Sequence, residues 1–244
     1  MKIIALNEGT YAVSKEKEFN LLTDANTDKK DPTHLTMAVC PFLIATPEDI
    51  VLLDTGLGFS NNGQPILTAL LNEHGYNAGD ITQVLMSHLH KDHIDGIGQL
   101  TTNGLTSNFP NATIYIQQRE LDYALTQIES HSFNQEILKE ITSLPNLYLM
   151  NEDSGTIGNH IKFEVTGGHS PYHQAFWITE GDEIAFYGAD NLPQRNYLKY
   201  HIAYKSDYDG KKAMELRQLW EQQAKDEHWS VLFYHDIKNS IVKF

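Results

Sequence analysis

The sequence predicts an α/β protein with at least one mixed sheet. Three observations carry that prediction. Short apolar runs recur from end to end, stretches with helical spacing fall between them, and strand candidates outnumber helix candidates. In chain order the strand candidates are Lys2 to Leu6, Leu35 to Ala45, Ile50 to Leu53, Val84 to Met86, Thr113 to Ile116, Leu147 to Met150, Ile161 to Val165, Ala175 to Ile178, Ile184 to Tyr187 and Val231 to Tyr234. Ile161, Phe163 and Val165 alternate with polar residues, as a half-buried strand requires. Ile50-Val51-Leu52-Leu53 is continuous and suits a strand covered on both faces.

Helical stripes lie between the strands. Ile66, Leu67, Leu70 and Leu71 form the first, with Gly75 as a natural stop. Leu121, Leu125 and Ile128 form the second, and Ile137, Leu138 and Ile141, closed by Pro145, the third. Ala213, Leu216, Leu219 and Trp220 form another near the end. Tyr197, Tyr200, Tyr204 and Tyr208 also share one face if helical, either as a packed aromatic stripe or as the wall of a small-molecule pocket. Composition is even, with no linker, repeat or low-complexity tract, so residues 1–244 read as a single domain.

Composition excludes several classes. The 244 residues are ample for a real core. Eighteen basic against 32 acidic residues give a net charge of −14, which disfavours gripping a phosphate backbone, so no nucleic-acid partner is expected. One cysteine, Cys40, excludes a disulfide framework and a cysteine-rich zinc site, and as a free thiol it suits a reducing compartment. The N-terminal apolar run is too short for a signal core, and no stretch approaches the roughly 18 apolar residues of a membrane span. A cytoplasmic protein with no membrane partner is the expectation. The 12 histidines are about twice the share of average usage.

Four of them and two aspartates concentrate in Ser87-His88-Leu89-His90-Lys91-Asp92-His93-Ile94-Asp95-Gly96 and Thr166-Gly167-Gly168-His169, with further members at Asp190 and His235. Each follows an apolar strand candidate, and open α/β sheets gather ligand-binding residues beyond strand ends. The first motif alone offers His88, His90, Asp92 and His93, which in an irregular loop can point to two neighbouring centres. Five imidazoles and two carboxylates suffice for two divalent cations sharing a carboxylate. Zinc suits such donors best, with iron, manganese or cobalt as substitutes.

At these residues the chain closely resembles the metallo-β-lactamase-fold hydrolase superfamily. Leu52-Leu53-Asp54-Thr55-Gly56, the His88 to His93 motif, Gly168-His169-Ser170, Asp190 and His235 match the family's segments in order. The resemblance implies a four-layer αββα sandwich with metals at one edge. It places His88, His90 and His169 on one metal, Asp92, His93 and His235 on the second, and Asp190 as the bridge. Phe109-Pro110-Asn111-Ala112, His169-Ser170-Pro171-x-His173-Gln174, Asp190-x-x-Pro193 and His235-Asp236 resemble the branch of acyl-homoserine lactonases and methyl-parathion-type hydrolases. Three positions depart from that branch. Tyr172 stands where relatives carry Gly, which would bring a phenol near the metals, Pro193 stands where lactonases place a catalytic Tyr, and Tyr197 replaces a His.

The implied chemistry is hydrolysis of a small ester or lactone by metal-activated water, with Asp92 carrying the proton to the leaving group. Asp54 is read as an outer acceptor for a ligand imidazole, or equally as a turn former. His173 is read as packing beneath the His169 loop, and Tyr172, Tyr197 and Tyr200 as pocket walls. The same site would serve a phosphotriesterase or phosphodiesterase, including a ribonuclease Z-like one, and a redox or non-catalytic metal protein is a third reading. A homodimer is compatible with the sequence.

Overall fold

Successive residues of the apolar strands face opposite sides, and those sides belong to three separate cores. The computed structural model describes residues 1–23 and 33–244. Leu43, Leu52, Val84 and Ile114 pack against Leu67, Leu71, Leu121 and Leu138 of three helices. Their neighbours Phe42, Ile44, Val51 and Leu53 face Ile161, Phe176, Ile178 and Tyr187 of a second sheet. On that sheet's far side Ala175, Trp177, Phe186 and Val231 meet Trp220 and Ala224 of the helix Gly210–Asp226. Three apolar interfaces separate four layers, so the arrangement is αββα. Strands in the two middle layers are covered on both faces, which explains runs such as Ile50 to Leu53.

Each sheet has six strands, and each is laid down in sequence order. The first comprises Lys2–Ala5, Phe42–Ala45, Ile50–Leu53, Gln83–Leu85, Thr113–Gln117 and Leu147–Met150. The second comprises Ser154–Ile157, Ile161–Val165, Gln174–Glu180, Glu183–Tyr187, Ser230–Leu232 and Ile241–Lys243. Ile50–Leu53 and Gln83–Leu85 run parallel, as do Glu183–Tyr187 and Ser230–Leu232. Their C-terminal ends therefore open on one edge of the sandwich.

Four expectations need correction. The run Leu35 to Ala45 is two strands, because Pro41 lacks the N–H that would continue a ladder. Leu35–Val39 joins Gly9–Val13 and Phe19–Leu21 in a three-stranded sheet, and Phe42–Ala45 enters the first large sheet. The tyrosine stripe is not one helix. Only Asn196–Lys199 is helical, and the chain then runs irregularly to Asp209, whose carboxylate caps the next helix by accepting from Lys212 N at 3.0 Å. Ile128 lies beyond the end of its helix, Gln118–Thr126, and Leu219 faces solvent. In that last helix Arg217 is fully buried, along with Ala213.

Buried Glu8 braces the turn after Ile50–Leu53. Its Oε2 accepts from Leu57 N at 3.0 Å, and its carboxylate sits where a Cβ on Gly56 would be, at 2.2 Å, so this left-handed turn needs glycine. Burial, reinforced by the nearby Asp92 charge, pushes the Glu8 pKa from 4.5 to about 7. A carboxyl raised in the folded state is ionised only in the unfolded chain between those values, so its stabilising contribution is lost as pH rises from about 4.5 to 7. Glu8→Gln keeps an acceptor for Leu57 without that penalty. In metal-free protein the substitution should raise the urea-unfolding free energy at pH 8 by up to about 3 kcal/mol, and change little at pH 4.5.

Candidate metal centre

Strand register converges the histidines and aspartates. Tyr187 pairs with Leu232 across a parallel ladder, and Asp190 and His235 each lie three residues beyond that pair. Leu53 pairs with Leu85 in the other sheet, so Asp54 and the loop from Ser87 emerge side by side. His169 follows the strand Ile161–Val165 through Gly167 and Gly168, both with positive φ. A Cβ on Gly168 would come within 2.4 Å of Asn191 Oδ1, the atom that accepts from His169 N at 2.8 Å. Glycine there lets one side chain fix the loop.

Two groups result. His88, His90, His169 and Asp190 place one ligand atom each within 4.8 Å of one another, as do Asp92, His93 and His235. In the first, His88 Nε2 and His169 Nε2 lie 3.0 and 3.1 Å from His90 Nδ1. Asp190 joins the groups. Its Oδ2 is 3.3 Å from His169 Nε2, while its Oδ1 is 3.3 Å from His93 Nε2 and 3.0 Å from His235 Nε2. The Asp92 carboxylate lies 3.8 Å from His93 Nε2 and 3.6 Å from His235 Nε2.

The chemistry of this donor set fits cations. His93 Nε2, His235 Nε2 and Asp190 Oδ1 are buried and have no hydrogen-bond partner among the described residues, an arrangement that is costly unless something else satisfies them. Burial holds His88 and His90 well below the ordinary imidazole pKa, which keeps them in the neutral ligand form. Burial acts the same way on His93, but the Asp190, Asp92 and Asp54 charges outweigh it and raise its pKa well above 6.5. Asp190 is the converse case. Burial opposes its ionisation, yet His235, His93 and His169 hold its pKa well below the carboxylate range. The cluster is thus built to exchange positive charge for neutral imidazole.

Each imidazole that offers Nε2 is fixed through Nδ1. His93 Nδ1 lies 2.7 Å from Asp54 Oδ2, His169 Nδ1 2.9 Å from Asp207 Oδ1, and His235 Nδ1 2.7 Å from the Ala38 carbonyl. His88 Nδ1 is 3.1 Å from Ser87 Oγ, which itself donates to Asp54 at 2.6 Å. These contacts select the tautomer that leaves Nε2 free. Sequence reasoning singled out Asp54 among these anchors and missed Ser87, Asp207 and the Ala38 carbonyl. It also missed Tyr187, which donates to Asp54 at 2.6 Å, and Tyr234, which stacks on His93 at 4.1 Å and donates to the Asp92 carbonyl at 2.7 Å. Ser87 adjoins the motif and was findable there, whereas the others depend on tertiary packing.

His173 is buried outside both groups. Its Nδ1 is 3.2 Å from Asn191 Nδ2 and 3.3 Å from Thr166 Oγ1, beneath the His169 loop. A cavity of about 470 Å³ opens above the cluster, and His90, Asp92, His169, Asp190 and His235 form its floor. Tyr197 lines it, together with Tyr204 and Tyr208. Tyr172 and Tyr200 do not. The Tyr172 ring lies over the Arg119 guanidinium at 5.0 Å and borders a different cavity, because its backbone N–H is held by buried Glu120 at 3.1 Å. Tyr200 is half exposed, with Lys199 Nζ over its ring. Pro193 lines the cavity, and its carbonyl accepts from His235 N at 2.9 Å.

Known proteins share this fold. An N-acyl homoserine lactonase of Bacillus cereus is 27% identical over 226 residues, covering 84% of this chain and 83% of that protein. A probable metal-dependent hydrolase from Staphylococcus aureus superposes with a TM-score of 0.79 at 21% identity, over 99% of this chain and 91% of that one. The dizinc quorum-quenching lactonase AidC, solved with a product, superposes with a TM-score of 0.74 at 24% identity, over 98% and 88%. No helix among the described residues is long and apolar enough to cross a membrane. Residues 41–231 match the metallo-beta-lactamase superfamily, and the chain belongs to that family.

Proposed function

We propose that the protein is a hydrolase of small lactones or esters that uses two divalent cations, zinc by preference, and that residues 1–244 act as one domain. One observation carries the reading. The two oxygens of Asp190 face two separate groups of buried nitrogen and carboxylate donors on the floor of an open cavity. His88, His90 and His169 would hold one cation, Asp92, His93 and His235 the other, with Asp190 shared. The lactonases of known function with this fold support a small-molecule substrate.

Bound there, the cations would supply Lewis-acid activation of water and of the substrate's acyl oxygen. The side chains do the rest. Asp92 lies on the cavity floor with its carboxylate 11% exposed, within reach of both solvent and the His93–His235 pair. It accepts the proton of the attacking water and returns it to the leaving alkoxide. Val13, Phe19, Leu35 and Met37 form an apolar wall that takes the non-polar body of the substrate and excludes water. Tyr197 also lines the cavity, seven residues after Asp190.

Elemental analysis of protein purified without added metal should find close to two cations per chain. Asp190→Asn, which removes the charge shared by both groups, should retain fewer than one. Acid release from a panel of lactones and carboxylic esters, followed by titration at constant pH, should be abolished by chelation and restored by zinc. Turnover confined to phosphotriesters or phosphodiesters would overturn the ester reading. Asp92→Asn should lower kcat by about 10²- to 10⁴-fold, the range for a lost proton carrier.

A further inference from the structure

One wall of the cavity is tied to a single member of the cluster. The irregular segment between Lys199 and Gly210 contributes Tyr204, Ser206 and Tyr208 to the wall. The same segment grips the His169 loop three times. Asp207 Oδ1 lies 2.9 Å from His169 Nδ1, Tyr208 N donates to the His169 carbonyl at 3.1 Å, and Asp209 N donates to the Gly168 carbonyl at 2.7 Å. The other three imidazoles that present Nε2 are anchored differently, on Ser87, Asp54 and the Ala38 carbonyl, none of which lines the cavity.

Arg217 braces both partners from behind. It is fully buried in the helix Gly210–Asp226. Its Nη1 donates to the Asn191 carbonyl at 2.8 Å, and its Nη2 to the Ile202 carbonyl at 2.6 Å. Asn191 in turn accepts from His169 N. Tyr197 and Tyr204 stack on each other at 4.6 Å and lie over the guanidinium at 5.2 and 5.8 Å. A buried guanidinium is expensive unless its donors and charge are used. Here the planar fork joins the loop that carries Asp190 and Asn191, whose side chain in turn holds the separate His169 loop, to the segment that carries the wall.

We propose that Asp207 and Arg217 are positioning residues that couple this wall to His169, so that wall placement and cation affinity at the His88–His90–His169–Asp190 group are set together. The proposal rests on the hydrolase reading above. Asp207 fixes the ring through its carboxylate, and Arg217 holds the two backbones in register. Neither touches the reacting atoms.

Competition between the protein and a zinc chelator, read with zinc alone, tests it. Wild-type protein should release its two cations with separate affinities. Asp207→Ala should weaken one of them roughly 10- to 100-fold, the range for lost outer partners of metal ligands, and leave the other unchanged. Asp207→Asn keeps an acceptor for Nδ1 and guards against a folding defect, so it should fall between. Tyr204→Ala, a wall change that touches no ligand, should weaken the same cation several-fold. Thermal midpoints of the metal-free proteins should stay within a few degrees of wild type. Unchanged affinity in Asp207→Ala and Tyr204→Ala, or equal weakening of both cations, would overturn the coupling and spare the hydrolase reading. Wild-type protein that binds no zinc would overturn both.

Discussion

The Asp54 carboxylate is the joint on which the site depends. It is fully buried, and its residue sits at φ 56°, a left-handed conformation that side chains other than glycine rarely adopt. A carboxylate taken out of water must find donors. It finds Ser87 N and Oγ, His93 Nδ1 and Tyr187 Oη, all within 2.7 Å. Ser87 belongs to the loop that leaves the first sheet, His93 to the short helix Lys91–Ile94 that follows it, and Tyr187 to a strand of the second. One anion therefore fixes the spacing between the sheets and the tautomers of His88 and His93.

Around that joint the electrostatics are graded by depth. Beneath the cavity floor, Asp54 is answered by fixed protein donors. On the floor, Asp190 and Asp92 face the imidazoles of His93 and His235, whose Nε2 atoms have no hydrogen-bond partner among the described residues. Tyr234, stacked on His93, gives the floor a rigid aromatic back. The −14 charge that disfavours nucleic acid comes partly from acids committed to this centre. The apolar Val13–Met37 side of the cavity then offers a substrate burial instead of charge.

The candidate ligand set was legible because it is local. His88 and His90 lead directly into the short helix Lys91–Ile94, which carries Asp92 and His93, and His169, Asp190 and His235 each follow an apolar run, so strand-end position brought out these candidates without a fold. The four layers were legible only through the family resemblance, since periodicity alone gives strands and helices but not their stacking. The tyrosine stripe misled because spacing cannot register that the Asp207 side chain is taken by the His169 ring and that Asp209 starts the next helix as its cap. Tyr172 misled because its direction is set by Glu120, distant in sequence. Asp207 and Arg217 carry no local signature at all. An aspartate in a polar loop and an arginine in an amphipathic helix look like solvated surface, and only packing shows otherwise.

The sequential order of the two sheets has a consequence for how the centre comes into being. His88, His90, Asp92 and His93 belong to the first half of the chain, and His169, Asp190 and His235 to the second. Neither group of donors is complete within one half. A cation held there closes contacts across more than 70 residues of chain, the kind of non-local link that forms late in folding. The centre is then placed as a clasp between two halves of the chain that each supply one sheet, so cations bound there would hold the seam between the sheets more than either sheet itself.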